Sequence, residues 1–160
     1  MYSQTHNTTV RHVANTFLHL SFQEHIYLTP LQLQLMLYKT YQAYLKLTNR
    51  VLFTEPFVAC EQGPVLMDIY YATTYETKHN LPISHYFATL GPDIELLQLK
   101  PFQRLSCYMM EIWNDCKSAN PMFLLQELTN NQSPWAMTRN QNLRFIEILS
   151  RKTPTSTGGR

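Results

Sequence analysis

At 160 residues the chain is long enough for one domain with a substantial core, which at this size hides roughly 70% of the extended surface. Thirteen basic and 11 acidic residues leave a net charge of +2, too weak a field to mark an electrostatic nucleic-acid binder. Three cysteines with no C-x-x-C pair exclude a disulfide framework and a zinc site as readings, and no apolar run of about 18 residues exists to span a bilayer.

In chain order, residues 1–8 are polar and expected to be loose. A first helix follows from about Thr9 to His25, with Val10, Val13, Ala14 and Phe17 near one face. Thr29-Pro30-Leu31-Gln32 then carries three helix-start signals together. Thr29 serves as N-cap, Pro30 suits the first helical position because its missing N–H would lack an intrahelical partner, and Gln32 completes a capping box. From Pro30 to Leu47 apolar and aromatic residues occupy most of the helix circumference, so this helix is expected to be central and buried on several sides.

Residues 51–60 mix Val, Phe and Thr with Pro56 and read as an extended loop or a short edge strand. Gln62-Gly63-Pro64 is a turn, with a third helix expected from Pro64 that turns Val65, Ile69 and Tyr70 inward and ends before Asn80. Residues 80–101, divided by Pro82, Pro92 and Pro101, read as connections. A helix from about Pro101 to Lys117 follows, then a short one opened by Asn120-Pro121 and running through Leu128. A last helix is expected from about Asn140 to Arg151, with Thr138 and Gln141 as a second capping box and Leu143 and Ile146 inward. Residues 153–160, rich in Thr, Ser and Gly, have nothing to bury and are expected to be disordered. The resulting fold class is mainly α: a compact single helical domain over 9–152 around a buried central helix, with at most a short β element near residues 51–60.

Several chemistries find little footing. Four glycines, two of them in the tail, do not make a phosphate-cradling loop. His12 and His19 lie two helical turns apart without a thiol or carboxylate to complete a metal site, so surface or capping roles are the plainer reading. Cys60 would need His79 or His85 brought to it by the fold to act as a nucleophile, and a structural thiol is the simpler alternative. Glu55, Glu61 and Asp68 gather loosely around the turn, as a solvated rim also would. Trp135, set by Pro134 in an expected loop, suits either a core plug or a binding anchor. Gln34 and Tyr38, four apart on the central helix, are placed to hydrogen-bond the chain around Gly63. Tyr38, Tyr41, Tyr44, Tyr70, Tyr71 and Tyr75 offer an amphipathic contact surface wherever they are exposed. Nucleic-acid binding would require Arg11, Arg139, Arg144, Arg151 and Lys152 on one face.

The order and separation of several short motifs resemble a known family. Val13-Ala14-Asn15 with Phe17-Leu18, then Leu28-Thr29-Pro30-Leu31-Gln32-Leu33-Gln34 with Leu37-Tyr38, then Glu55-Pro56-Phe57, Ala59, Gly63-Pro64-Val65 and Tyr70, resemble the Panacea domain, also called the SocA-like or GepA-like domain. Glu127-Leu128-Thr129 followed by Ser133-Pro134-Trp135 resembles its second motif, so the likeness spans residues 10–150. The chain departs from the family at Leu35, Cys60 and Asn130, where lysine, an aromatic residue and histidine are usual, and any role needing those groups does not carry over. The resemblance implies a non-catalytic, cytoplasmic, bacterial or phage-borne protein without a cofactor or metal. Such a protein works as an antitoxin or proteolytic adaptor on a cognate toxin, a protease or a host target. The alternative is a phage or secretion-system accessory protein, delivered to a host, that binds a host protein through the same domain. Candidate interaction residues on this reading are Thr29, Pro30, Gln34, Tyr38, Gly63, Pro64, Tyr70 and Trp135.

Overall fold

A computed structural model describes residues 10–89 and 103–146. Among them the fold is mainly α, with helices α1 (Val10–Glu24), α2 (Pro30–Thr48), α3 (Met67–Ala72), α4 (Thr74–His79), α5 (Gln103–Cys116), α6 (Pro121–Leu128) and α7 (Pro134–Asn140), and one hairpin, β1 (Val58–Cys60) with β2 (Gly63–Val65). No helix among the described residues is long and apolar enough to cross a membrane.

Helix α2 starts where its residues require. Thr29 Oγ1 accepts from Gln32 N at 3.2 Å while Gln32 Oε1 accepts from Thr29 N at 2.9 Å, the reciprocal pair that satisfies two otherwise orphaned donors. It ends at Asn49 in the left-handed region (φ 57°), whose N–H donates to Leu45 O. Between these ends Leu33, Leu35, Met36, Leu37 and Tyr38 are almost fully buried, each aliphatic side chain contributing about 1.5–3 kcal/mol relative to exposure. The helix packs against α1, α5, α6, α3 and β2, which makes it the centre of the domain.

Helix α1 ends at His25 (φ 56°) and is fastened at its far end to α5, where the carboxylate of Glu24 accepts from the buried indole N–H of Trp113 and from Lys117 Nζ at 2.7 Å. Residues 81–89 have no helix or strand and lie as a strap across α1. Ile83 N donates to Leu28 O at 2.7 Å, and Asn15 holds both backbone groups of Phe87 at 2.8 and 3.0 Å. The Arg11 guanidinium takes Ala88 O at 2.8 Å.

The helix expected from Pro64 begins later. Pro64 lies in β2, opposite Ala59, and the helix starts at Met67 and breaks at Thr73 into α3 and α4. In this two-residue hairpin the Cys60–Gly63 and Val58–Val65 pairs exchange the ladder bonds, so the missing N–H of Pro64 falls on the outer edge, where a strand proline removes no pairing. Ala59 N, facing the other way, donates to Arg144 O at 2.9 Å, and Ile146 N donates to Phe57 O, so residues 144–146 continue the sheet through a Val58–Phe145 bridge.

That bridge corrects the expected last helix. Residues 141–146 turn through Asn142 (φ 55°) into an extended run, and Leu143, expected inward, is exposed, whereas Ile146 is buried as expected. The helix lies earlier, at α7, capped by Ser133 Oγ accepting from Ala136 N with Pro134 at the first position. Thr138 is inside it, donating to Pro134 O, so the Thr138–Gln141 capping box is not formed. Residues 147–151, the expected loose residues 1–8 and the expected disordered tail 153–160 lie outside the described residues.

Candidate functional site

Of the sequence-derived candidates, Gln34, Tyr38, Gly63 and Pro64 are buried, Pro30 and Trp135 are half-buried, and Thr29 and Tyr70 are exposed. Gln34, inside the core on α2, donates from Nε2 to Leu66 O at 3.0 Å and accepts from Leu66 N at 2.9 Å. Its partner lies just past the Gly63-Pro64 turn that the spacing pointed to. Tyr38 does not join it. The ring is fully buried, edge-on to Phe57, and its hydroxyl has no hydrogen-bond partner among the described residues. Burial pushes this phenol up to about 12. Thr29 and Pro30 serve the start of α2.

Gly63 adopts φ +119°, a conformation L side chains rarely take, and a Cβ there would sit 2.7 Å from Leu125 Cδ1. Pro64 is buried beside it. Trp135 is in the first turn of α7 rather than a loop, half-buried, with its indole N–H donating to Cys60 O at 2.7 Å. Arg139, one turn later, lies over the same indole and donates to Ala59 O at 3.0 Å. Together they secure α7 on the hairpin, so Trp135 acts as a structural plug. Asn130 closes its own turn, its amide donating to Glu127 O and its oxygen accepting from Gln132 N.

The sequence placed Tyr70 inward, and the structure places it outside. Tyr70, Tyr71 and Tyr75 are 48%, 69% and 65% exposed. Ile69, Thr73 and Glu76, spaced as one helical stripe, take the inward positions, with Thr73 Oγ1 donating back to Ile69 O, and this leaves the rings to solvent. Tyr70 meets Tyr71 edge-on at 5.6 Å, and Tyr75 packs on His79 at 4.3 Å. The face is held from beneath. Arg11 grips Asp68, at the start of α3, through Nε and Nη2 at 2.8 Å each, and Glu76 is buried with Oε1 3.6 Å from His85 Nδ1 of the strap.

No catalytic set assembles from the residues the sequence offered. His79 packs on Tyr75 and His85 on Glu76 and Phe87, so neither serves Cys60. Burial pushes the Cys116 thiol up, the wrong direction for a nucleophile. Asp68 is engaged by Arg11, while Glu55 and Glu61 remain exposed. No group of three or more His, Cys, Asp or Glu side chains among the described residues is placed to hold a metal ion. A cleft between α2, α5 and α6, lined by Leu35, Met36, Cys116 and Leu124, encloses about 220 Å³ including open solvent, short of the roughly 300–1,000 Å³ of small-molecule sites. The basic cluster is also dispersed in role, because Arg11 is tied to α3 and the strap, and Arg139 to the hairpin; Arg151 and Lys152 lie outside the described residues.

Sequence reasoning missed the Asn15–Phe87 pair. A signal existed, since Asn15 sits in the apolar run from Val13 to Leu18, where a buried amide needs partners. The Arg11–Asp68 pair, 57 residues apart, left none.

No family model matches the chain, and no curated protein or solved structure matches it.

Proposed function

We propose that the chain is a non-catalytic protein-binding domain, an antitoxin or proteolytic adaptor that works in the bacterial cytoplasm by direct contact with a cognate toxin. The observation that carries the reading is the exposed tyrosine face of α3 and α4. Tyrosine supplies large, rigid contact area with a polar tip and is enriched at interfaces, and three such rings stand exposed on adjoining short helices. The likeness of the motifs to the Panacea domain supplies the partner class. Gln34, Gly63, Pro64 and Trp135 then serve as the frame that presents this face, with Tyr70 as the one motif residue at the contact.

Co-expression tests the reading. A protein that arrests growth when produced alone, and no longer does so when this chain is co-produced and co-purifies with it, is the expected result. Turnover of a small molecule by the purified chain, lost on a single side-chain change, would count against it.

A further inference from the structure

We infer that the tyrosine face receives an acidic, amphipathic segment of the partner, whose apolar side chains pack on the Tyr71 and Tyr75 rings and whose carboxylates meet Lys78, His79 and the phenol hydroxyls. The inference rests on the protein-binding reading and adds the chemistry of what is bound.

The argument is one of donors and charges. Between Met67 and Thr89 the ionisable acids are Asp68 and Glu76, and neither is open to the face: Asp68 accepts two hydrogen bonds from Arg11, and Glu76 is buried, its Oε1 3.6 Å from His85 Nδ1 and its Oε2 without a partner among the described residues. The cation Lys78 is exposed, with no ion pair or hydrogen bond among the described residues, and His79 stands exposed against Tyr75. The hydroxyls of Tyr70, Tyr71 and Tyr75 likewise have no hydrogen-bond partner there. The face therefore offers apolar rings, hydroxyl donors and an ammonium, with no carboxylate left free on these two helices to answer them. A carboxylate-bearing surface is the complement.

A second copy of this chain fits less well, because a two-fold contact through this face would bring together two surfaces that each carry an ammonium and no free carboxylate. Single-stranded nucleic acid would find rings to stack on, but one lysine and a net charge of +2 give little of the phosphate neutralisation such binding draws on.

The test is an NMR titration of the full-length protein with a synthetic amphipathic helix of about 16 residues, leucine on one face and glutamate on the other, alongside its lysine counterpart and an oligothymidine. The glutamate peptide is expected to shift resonances of residues 70–79 with a dissociation constant below about 1 mM, weakened at least about tenfold in Y71A/Y75A and about threefold in K78E. The lysine peptide and the oligothymidine are expected to leave these resonances in place. Equal binding of both peptides, binding of the oligothymidine instead, binding elsewhere, or no binding overturns the inference. The two readings fail separately. A stoichiometric partner whose capture ignores Y71A/Y75A removes the acidic docking and leaves protein binding intact, whereas peptide binding without any cellular partner does the reverse.

Discussion

Gln34 and Leu66 exchange two hydrogen bonds, side-chain amide against backbone amide, at 2.9 and 3.0 Å inside the core. The pair fixes the residue where the hairpin ends and α3 begins, and so sets how the tyrosine face leaves the body of the protein. Replacing Gln34 by Leu strands a buried N–H and a buried C=O, which costs about 2–5 kcal/mol. Urea unfolding is expected to show the lowered midpoint, and an unchanged midpoint would contradict the role. Asn15→Leu is expected to act alike through Phe87, and the two losses should add, since the amides serve different segments.

Gly63 answers to two constraints, its φ of +119° and the approach of Leu125. The methyl group of Leu125 is the far end of a flexible side chain and can move, whereas the backbone cannot without losing the hairpin. Gly63→Ala is therefore expected to cost about 1–3 kcal/mol, of which Leu125→Ala in the same chain restores little. Full restoration by the second change would place the cost in the contact instead.

Tyr38 governs the alkaline limit. Its phenol is held up to about 12 in the folded chain against an ordinary value of 10.0, so the folded state keeps a proton the unfolded state releases. That contribution is complete below pH 10 and is lost as pH rises through about 12, on the order of 3 kcal/mol in all, with Tyr41, also pushed up by burial, acting in the same direction. Tyr38→Phe removes a hydroxyl with no partner among the described residues, so it should change stability at pH 7 by less than about 1 kcal/mol and raise the alkaline midpoint. Identical alkaline unfolding of both proteins would contradict this.

The acid limit belongs in part to Asp68, held below its usual range by the hydrogen bond from Arg11 and by that cation's field. Such a group stabilises the fold above its unfolded pKa, and the effect disappears as pH falls through the folded value. The carboxylate is 43% exposed, so solvent screening keeps the pair to about 1 kcal/mol or less. Asp68→Asn is expected to flatten the stability curve below about pH 4 without abolishing its fall, because Glu24 is lowered likewise by Lys117 and Trp113. An acid limb of unchanged slope would remove Asp68 from this account.

Local signals were legible where chemistry acts between near neighbours. Thr29-Pro30-Gln32 and Asn120-Pro121 start helices as their residues require, and the apolar circumference of α2 marks it as central. Ser133-Pro134 carries the same cap-plus-proline signal and starts α7, although the flanking polar residues favour a loop reading. The tertiary partners were beyond reach. Pro64 resembles a helix start until Ala59 is seen opposite it, and Leu143 follows a helical period until Ala59 N is found bonded to Arg144 O. Periodicity counted from Pro64 turns Tyr70 inward, whereas the helix starts at Met67 and buries the stripe of Ile69, Thr73 and Glu76, which leaves Tyr70 outside.

The central claim is that this face binds a protein, and paired affinity purification from native lysate tests it most directly, using the tagged chain, its Y71A/Y75A variant and Phe123→Ser on α6 as an exposed control. The account predicts one stoichiometric protein retained by the first and third and lost by the second. Retention of the same protein by all three, or of none by the unaltered chain, would contradict it.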